Sequence, residues 1–163
     1  MLIKIKKNFL YYRNYKLKCS VGKSGIKKNK IEGDLSTPKG IFELGTLYYR
    51  KDRITLKNCK IKKKIIKKEM GWCDDIKNKH YNREIKLPFN FSSEKLYRKN
   101  KIYDIFINIK HNYNPVIKKK GSAIFLHICG PNYKKTKGCV ALQKKDFLKI
   151  IPLITKRTKI LIR

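Results

Sequence analysis

Residues 122–142 read Ser-Ala-Ile-Phe-Leu-His-Ile-Cys-Gly-Pro-Asn-Tyr-Lys-Lys-Thr-Lys-Gly-Cys-Val-Ala-Leu. The apolar run 123–127 has the character of a buried strand and ends on His127. A Gly/Pro-containing loop follows, and a second short apolar run begins directly after Gly138-Cys139. His127 and Cys139 lie twelve positions apart, so a loop that folds back brings imidazole and thiol side by side. That is what a thiol nucleophile requires: the thiolate attacks carbonyl carbon, and a free cysteine with pKa near ~8.5 is only a few per cent ionised at neutral pH. Gly138 leaves room for a tight turn beside the thiol, and amide N–H groups there are placed to receive an oxyanion.

Working outward, residues 2–5 and 15–21 alternate apolar and polar side chains, the period-2 pattern of half-buried strands, and Gly22 and Gly25 mark turns. After a charged loop at Lys27–Asp34, Pro38 and Gly40 turn the chain into a short strand. Tyr103–Ile109 reads as a well-buried strand, Asn112–Pro115 as a turn, and Thr158–Ile162 as a closing strand. The spacing of Phe147, Leu148, Ile150, Ile151 and Leu153 predicts one helix over 143–154, entered near Asp146 and ended or kinked by Pro152. A further short helix is expected from Ser92 or Ser93. Residues 71–75 and 81–83 read as loop, and residues 56–70 fit either a loop or a short helix. The order is that of a single mainly-β domain, a β-rich α+β fold over residues 1–163.

The 43 Lys and Arg against 11 Asp and Glu give a formal charge of +32. Such a field draws nucleic acid, an anionic membrane or an acidic polymer alike. Lysine, isoleucine, asparagine and tyrosine are the residues that an AT-rich genome encodes most often, so no nucleic-acid partner is expected. The lysine runs at 4–7, 57–64 and 118–120 read as solvated faces. Five cysteines without a CxxC pair or a His/Cys cluster at zinc spacing predict no metal site. No stretch reaches the ~20 apolar residues of a membrane helix, and no signal-peptide core is visible near the start.

Two stretches together resemble the L,D-transpeptidase, or YkuD-like, catalytic family. In that family a histidine precedes a Ser/Thr-x-Gly-Cys segment, matched here by His127 and by Thr136-Lys137-Gly138-Cys139. Upstream, Thr37-Pro38-Lys39-Gly40-Ile41-Phe42 is similar to the family's Thr-Pro-x-Gly-x-Phe turn. The chain departs from the pattern at Lys137, where the family usually carries an auxiliary histidine, and at Ile128, where it usually carries glycine. The resemblance implies a β-sandwich with one or two short helices, Cys139 as nucleophile, His127 as base and Gly138 beside them. It further implies attack after the L-centre of diaminopimelate in a peptidoglycan stem tetrapeptide, with release of the terminal D-alanine. An amine, or water, then accepts the acyl group, without metal or organic cofactor, and the alternative is a basic binding protein whose pair is inert. Thr136, Trp72, Asp74, Asn82 and Arg83 are candidates for substrate binding, with Arg83 suited to a carboxylate. The alternative for the 72–83 residues is a solvated loop anchored by Trp72. A monomer is expected. The resemblance places the protein in the periplasm or cell envelope, while the bare sequence places it in the cytoplasm.

Overall fold

Alternation of side chains explains most of the strands. In the computed structural model, which describes all residues 1–163, Ile3 and Ile5 are fully buried while Lys4 and Lys6 face water, and Leu17 and Cys19 repeat the pattern. Fourteen strands result. The first seven are β1 (Leu2–Lys6), β2 (Phe9–Tyr12), β3 (Tyr15–Ser20), β4 (Ile26–Lys27), β5 (Thr37–Pro38), β6 (Gly40–Tyr49) and β7 (Lys63–Ile65). The others are β8 (Met70–Cys73), β9 (Arg83–Lys86), β10 (Ser93–Lys95), β11 (Ile105–Ile109), β12 (Phe125–Ile128), β13 (Val140–Leu142) and β14 (Lys159–Ile162). One α-helix, α1 (Lys144–Ile150), runs into a 3₁₀ turn at Ile151–Leu153.

The main sheet has the order β11-β12-β13-β3-β2-β1-β14-β6-β7, and an additional pairing of β11 with β6 closes it on itself. Closure depends on the length of β6. Its residues 40–43 pair with β14, whereas residues 44–49 pair with β11 across a register shift. The closed sheet encloses a largely aliphatic core of 25 residues, most of them from β1–β3, β6 and β11–β14, with Phe147, Ile150, Ile151 and Ile154 of the helix region among them. The architecture is mainly β, as the sequence predicts.

The opposite face of β11 and β12 carries a second, aromatic cluster. Tyr48, Tyr103, Phe106 and Phe125 pack with Trp72 and Cys139, with Phe106 and Phe125 centroids 4.6 Å apart and Trp72 edge-on to Phe125 at 5.2 Å. A three-stranded sheet, β10-β8-β9, covers this cluster.

That small sheet corrects the sequence reading at two places. Residues 70–73 form a strand, not a loop: β8 is paired on both sides and buried on both faces, so Met-Gly-Trp-Cys shows no alternation to read. No helix starts at Ser92 or Ser93. Residues 93–95 pair with β8, and Ser92 Oγ donates to Asp74 Oδ1 at 2.6 Å rather than capping a turn. Three further elements are longer, extra or shifted. The strand after Pro38 and Gly40 runs to ten residues. The β2 strand was hidden because its flanking turns use Lys7 and Arg13 at positive φ (54° and 50°) in place of glycine. The α-helix starts at Lys144, two residues before Asp146, and ends before Pro152.

The double duty of β6 makes its buried side chains costly to remove. Leu47→Ala, at a fully buried position of β6, is expected to destabilise the fold by about 2–5 kcal/mol, measured by urea denaturation.

Candidate functional site

Strands β12 and β13 run parallel, with His127 opposite Ala141 and Leu126 opposite Val140. One step back in this register Cys139 stands beside Phe125. Because side chains alternate faces, Phe125, His127 and Cys139 all project to the aromatic side. His127 and Cys139 are thus diagonal neighbours, and both line a cleft of about 620 Å³. Its walls include Lys30, Tyr103, Ser122, Ala123, Thr136 and Gly138.

The turn into Cys139 is clamped locally. Thr136 Oγ1 donates to the Cys139 carbonyl at 2.6 Å and accepts the Gly138 N–H at 3.1 Å. Thr136 itself is tied to the neighbouring chain, donating its N–H to Val21 O and accepting from Lys23 N. Gly138 has φ +146°, and a Cβ there would stand 2.9 Å from the Ser36 carbonyl oxygen. Only glycine brings the chain this close. The Cys139 N–H donates to none of the hydrogen bonds in this loop, which leaves it free to donate to the oxygen of a carbonyl that Sγ attacks. The Thr37 side chain accepts from Gly22 N at 2.8 Å, so the upstream Thr-Pro turn braces the same corner without facing the thiol.

Both reactive groups are neutral in the resting site. The thiol donates to Ala123 O at 3.2 Å and accepts from Phe125 N at 3.4 Å. Burial pushes its pKa up to about 12, and the Glu94 carboxylate adds to the rise, against the Phe125 N–H, Lys30 and Arg98. Burial pushes His127 down to about 4; the Arg98 charge acts the same way, and the carbonyls of Ile128 and Ile102 oppose it. Nδ1 of His127 lies 2.7 Å from Ile128 O. A carbonyl can only accept, so Nδ1 carries the proton and Nε2 holds the lone pair. The Tyr103 ring stands edge-on to the imidazole at 5.4 Å. No hydrogen bond joins Sγ to the imidazole here: thiol and imidazole share a face and a cleft, and proton transfer between them requires a side chain to move within it.

The other sequence candidates divide. Thr136 and Asp74 line the cleft, whereas Trp72, Asn82 and Arg83 do not. Trp72 is buried beneath the wall, and its Nε1 donates to Asn82 Oδ1 at 3.0 Å. Asn82 is also buried; its amide holds the carbonyls of His111 and Asn112 and accepts from Ala123 N. The pair supports the segment that leads into β12. Arg83 donates to Tyr113 O at 2.6 Å and lies over the Tyr113 ring, so its guanidinium is already engaged. Lys137, at the position of the family's auxiliary histidine, lies on the cleft wall. All five cysteines are free thiols.

Sequence reading missed Lys30, Ser122, Glu94, Arg98 and Tyr103 as cleft residues. Lys30 belongs to the charged loop that read as solvated, yet it is 4% exposed, with Nζ 2.6 Å from Asp34 Oδ1. Burial pushes the Asp34 carboxyl up, but Lys30 and hydrogen bonds from Ile31 and Ser36 overcome this and hold it well below the usual carboxylate range. The i,i+4 spacing of Lys30 and Asp34 was the one signal available.

The family model of YkuD, L,D-transpeptidase catalytic domain, matches residues 1–162. No curated protein matches the chain.

Two outcomes are expected from this geometry. The thiol is protonated below about 12 and the imidazole uncharged above about 4. Alkylation of Cys139 by iodoacetamide in the free protein should therefore rise about tenfold per pH unit from pH 7 to 10. A plateau near neutrality would instead reveal a thiolate–imidazolium pair. Gly138→Ala should cost about 2–4 kcal/mol in urea denaturation, because both φ and the Ser36 backbone resist a side chain.

Proposed function

The chain belongs to the YkuD family of L,D-transpeptidase catalytic domains, and from that premise we propose that it carries out cysteine-dependent acyl transfer on peptidoglycan stem peptides. One observation carries the reading: Cys139 and His127 project from adjacent parallel strands into one cleft, with the uncommitted Cys139 N–H beside them. Cys139 is the nucleophile and His127 the base.

The resting pair is neutral, so the proton leaves sulfur as the sulfur attacks. Sγ adds to the carbonyl of the penultimate residue, and the thiol proton passes to His127 Nε2. The oxyanion forms next to the Cys139 N–H. Collapse breaks the C–N bond; the imidazolium returns its proton to the departing amine of D-alanine, and a thioester remains on Cys139. An acceptor amine then attacks the thioester and gives up a proton through His127, and the sulfur leaves as the thiol again. Water in place of the amine yields the trimmed peptide, the L,D-carboxypeptidase outcome. Burial that holds the thiol protonated also keeps water away from the thioester until an acceptor enters. Six of the charged residues on the cleft wall are Lys or Arg and three are Asp or Glu, and this balance suits a stem peptide with several carboxylates.

The reading places the substrate, and so the site of action, at the cell wall. Mass spectrometry of a disaccharide-tetrapeptide incubated with the protein and a D-amino acid tests the chemistry directly. Loss or exchange of the terminal D-alanine is expected with the natural chain, none with Cys139→Ala, and a loss of at least about a hundredfold with His127→Ala. An unchanged tetrapeptide in every tube, with the protein folded, would leave the basic binding protein as the better reading.

A further inference from the structure

Ser122 Oγ is the single buried side-chain oxygen or nitrogen in the molecule without a hydrogen-bond partner in good geometry; its one polar side-chain neighbour is the Tyr81 hydroxyl, which already donates to Glu32 and accepts from Gly121 N. Ser122 is 7% exposed and lines the cleft. A buried hydroxyl without a partner costs stability, so its presence calls for a ligand that completes it. Beside it lies Lys30, the one buried lysine of the chain. Its ammonium donates to Ile31 O at 2.9 Å and to Asp34 Oδ1, which uses two of its three N–H groups.

Two glycines press Lys30 into this position. Gly121, adjoining Ser122, has φ +96°, and a Cβ there would meet Lys30 Cγ at 2.9 Å. A Cβ on Gly138 would stand 3.7 Å from Lys30 Cε. Lys30 therefore threads between the residue before Ser122 and the residue before Cys139. Ser122 is in turn next to Ala123, whose carbonyl oxygen receives the Cys139 thiol. The side chains that carry the hydroxyl and the ammonium thus line the same cleft as the nucleophile.

We propose that Lys30 and Ser122 form a carboxylate subsite that reads the free C-terminus of the donor peptide and so confines cleavage to its last residue. The inference rests on the acyl-transfer reading of the same cleft and adds a ruler to it. A terminal carboxylate lies one residue beyond the scissile carbonyl, and both donors belong to the wall of the cleft that holds Cys139. The Lys30–Asp34 pair is neutral as a unit, so it offers a directed N–H rather than net charge. Lys23, Lys134, Lys135 and Lys137, on the walls of the cleft, supply the attractive field. A chain that continues past the terminal residue would bring a neutral amide to donors that bind an anion more strongly.

The test is equilibrium binding, so that it does not depend on turnover. Calorimetric titration of the Cys139→Ala protein with the disaccharide-tetrapeptide is compared with the same compound bearing a terminal carboxamide. The free carboxylate should bind roughly tenfold or more tightly than the carboxamide. Adding Ser122→Ala or Lys30→Met should remove most of that ratio by weakening the free carboxylate far more than the carboxamide. Ser122→Ala should also leave the melting temperature unchanged or raised, since it deletes an unpaired hydroxyl, so the test survives any loss of folding in Lys30→Met. Equal affinity for the two ligands, a ratio untouched by Ser122→Ala, or no binding of either would overturn the subsite. Turnover by the Cys139-containing protein reports separately on the acyl-transfer reading.

Discussion

The parallel pairing of β12 with β13 is the constraint on which the site depends. Parallel strands need a crossover, and here residues 129–139 supply one that leaves β12 at Ile128 and returns to place Cys139 opposite Phe125, two register positions from His127 and on the same face. The alternation of side chains does the rest. Leu126, Val140 and Leu142 enter the aliphatic core, while Phe125, His127 and Cys139 are turned to the other face. A one-residue slip in this register would bury the base and expose a leucine in its place.

Each surrounding feature can be read as support for that register. The Thr136 clamp and Gly138 fix where β13 begins, and Thr37 braces the corner through Gly22. Trp72 and Asn82 act from behind the wall: Asn82 accepts the Ala123 N–H just before β12 and is held by the indole. These side chains matter to the site through the backbone they hold. Their burial also explains the electrostatics, since the aromatic wall that positions thiol and imidazole strips both of water and leaves both uncharged. On the proposed acyl-transfer reading, ionisation is thereby deferred to the moment of attack, when the oxyanion and the imidazolium form together.

The charge of the chain is distributed in two ways. The lysines of β7 lie along an edge strand, where charge discourages pairing with another copy. Those around the cleft stand over a buried Lys30–Asp34 pair that spends its charge internally. Basicity at the rim and neutrality below it suit the proposed subsite, which would attract anions from a distance and orient them by directed hydrogen bonds close in.

Composition and pattern alone pointed to a mainly-β chain, to buried strands at 103–109 and 123–127 where the structure has Ile105–Ile109 and Phe125–Ile128, and to Cys139 and His127, which the fold brings to one cleft. Those features are local: a period of two, a glycine before a cysteine, a histidine at a strand end. Strand β8 was illegible because a strand buried on both faces has no alternation, and β2 because its turns use lysine and arginine where glycine is the usual sign. Only the tertiary structure decided that Trp72, Asn82 and Arg83 stand outside the cleft while Lys30 and Ser122 stand within it. Burial of a polar residue is a property of what packs over it, and the chain that packs over Lys30 comes from Gly121 and Gly138, about a hundred residues away in sequence.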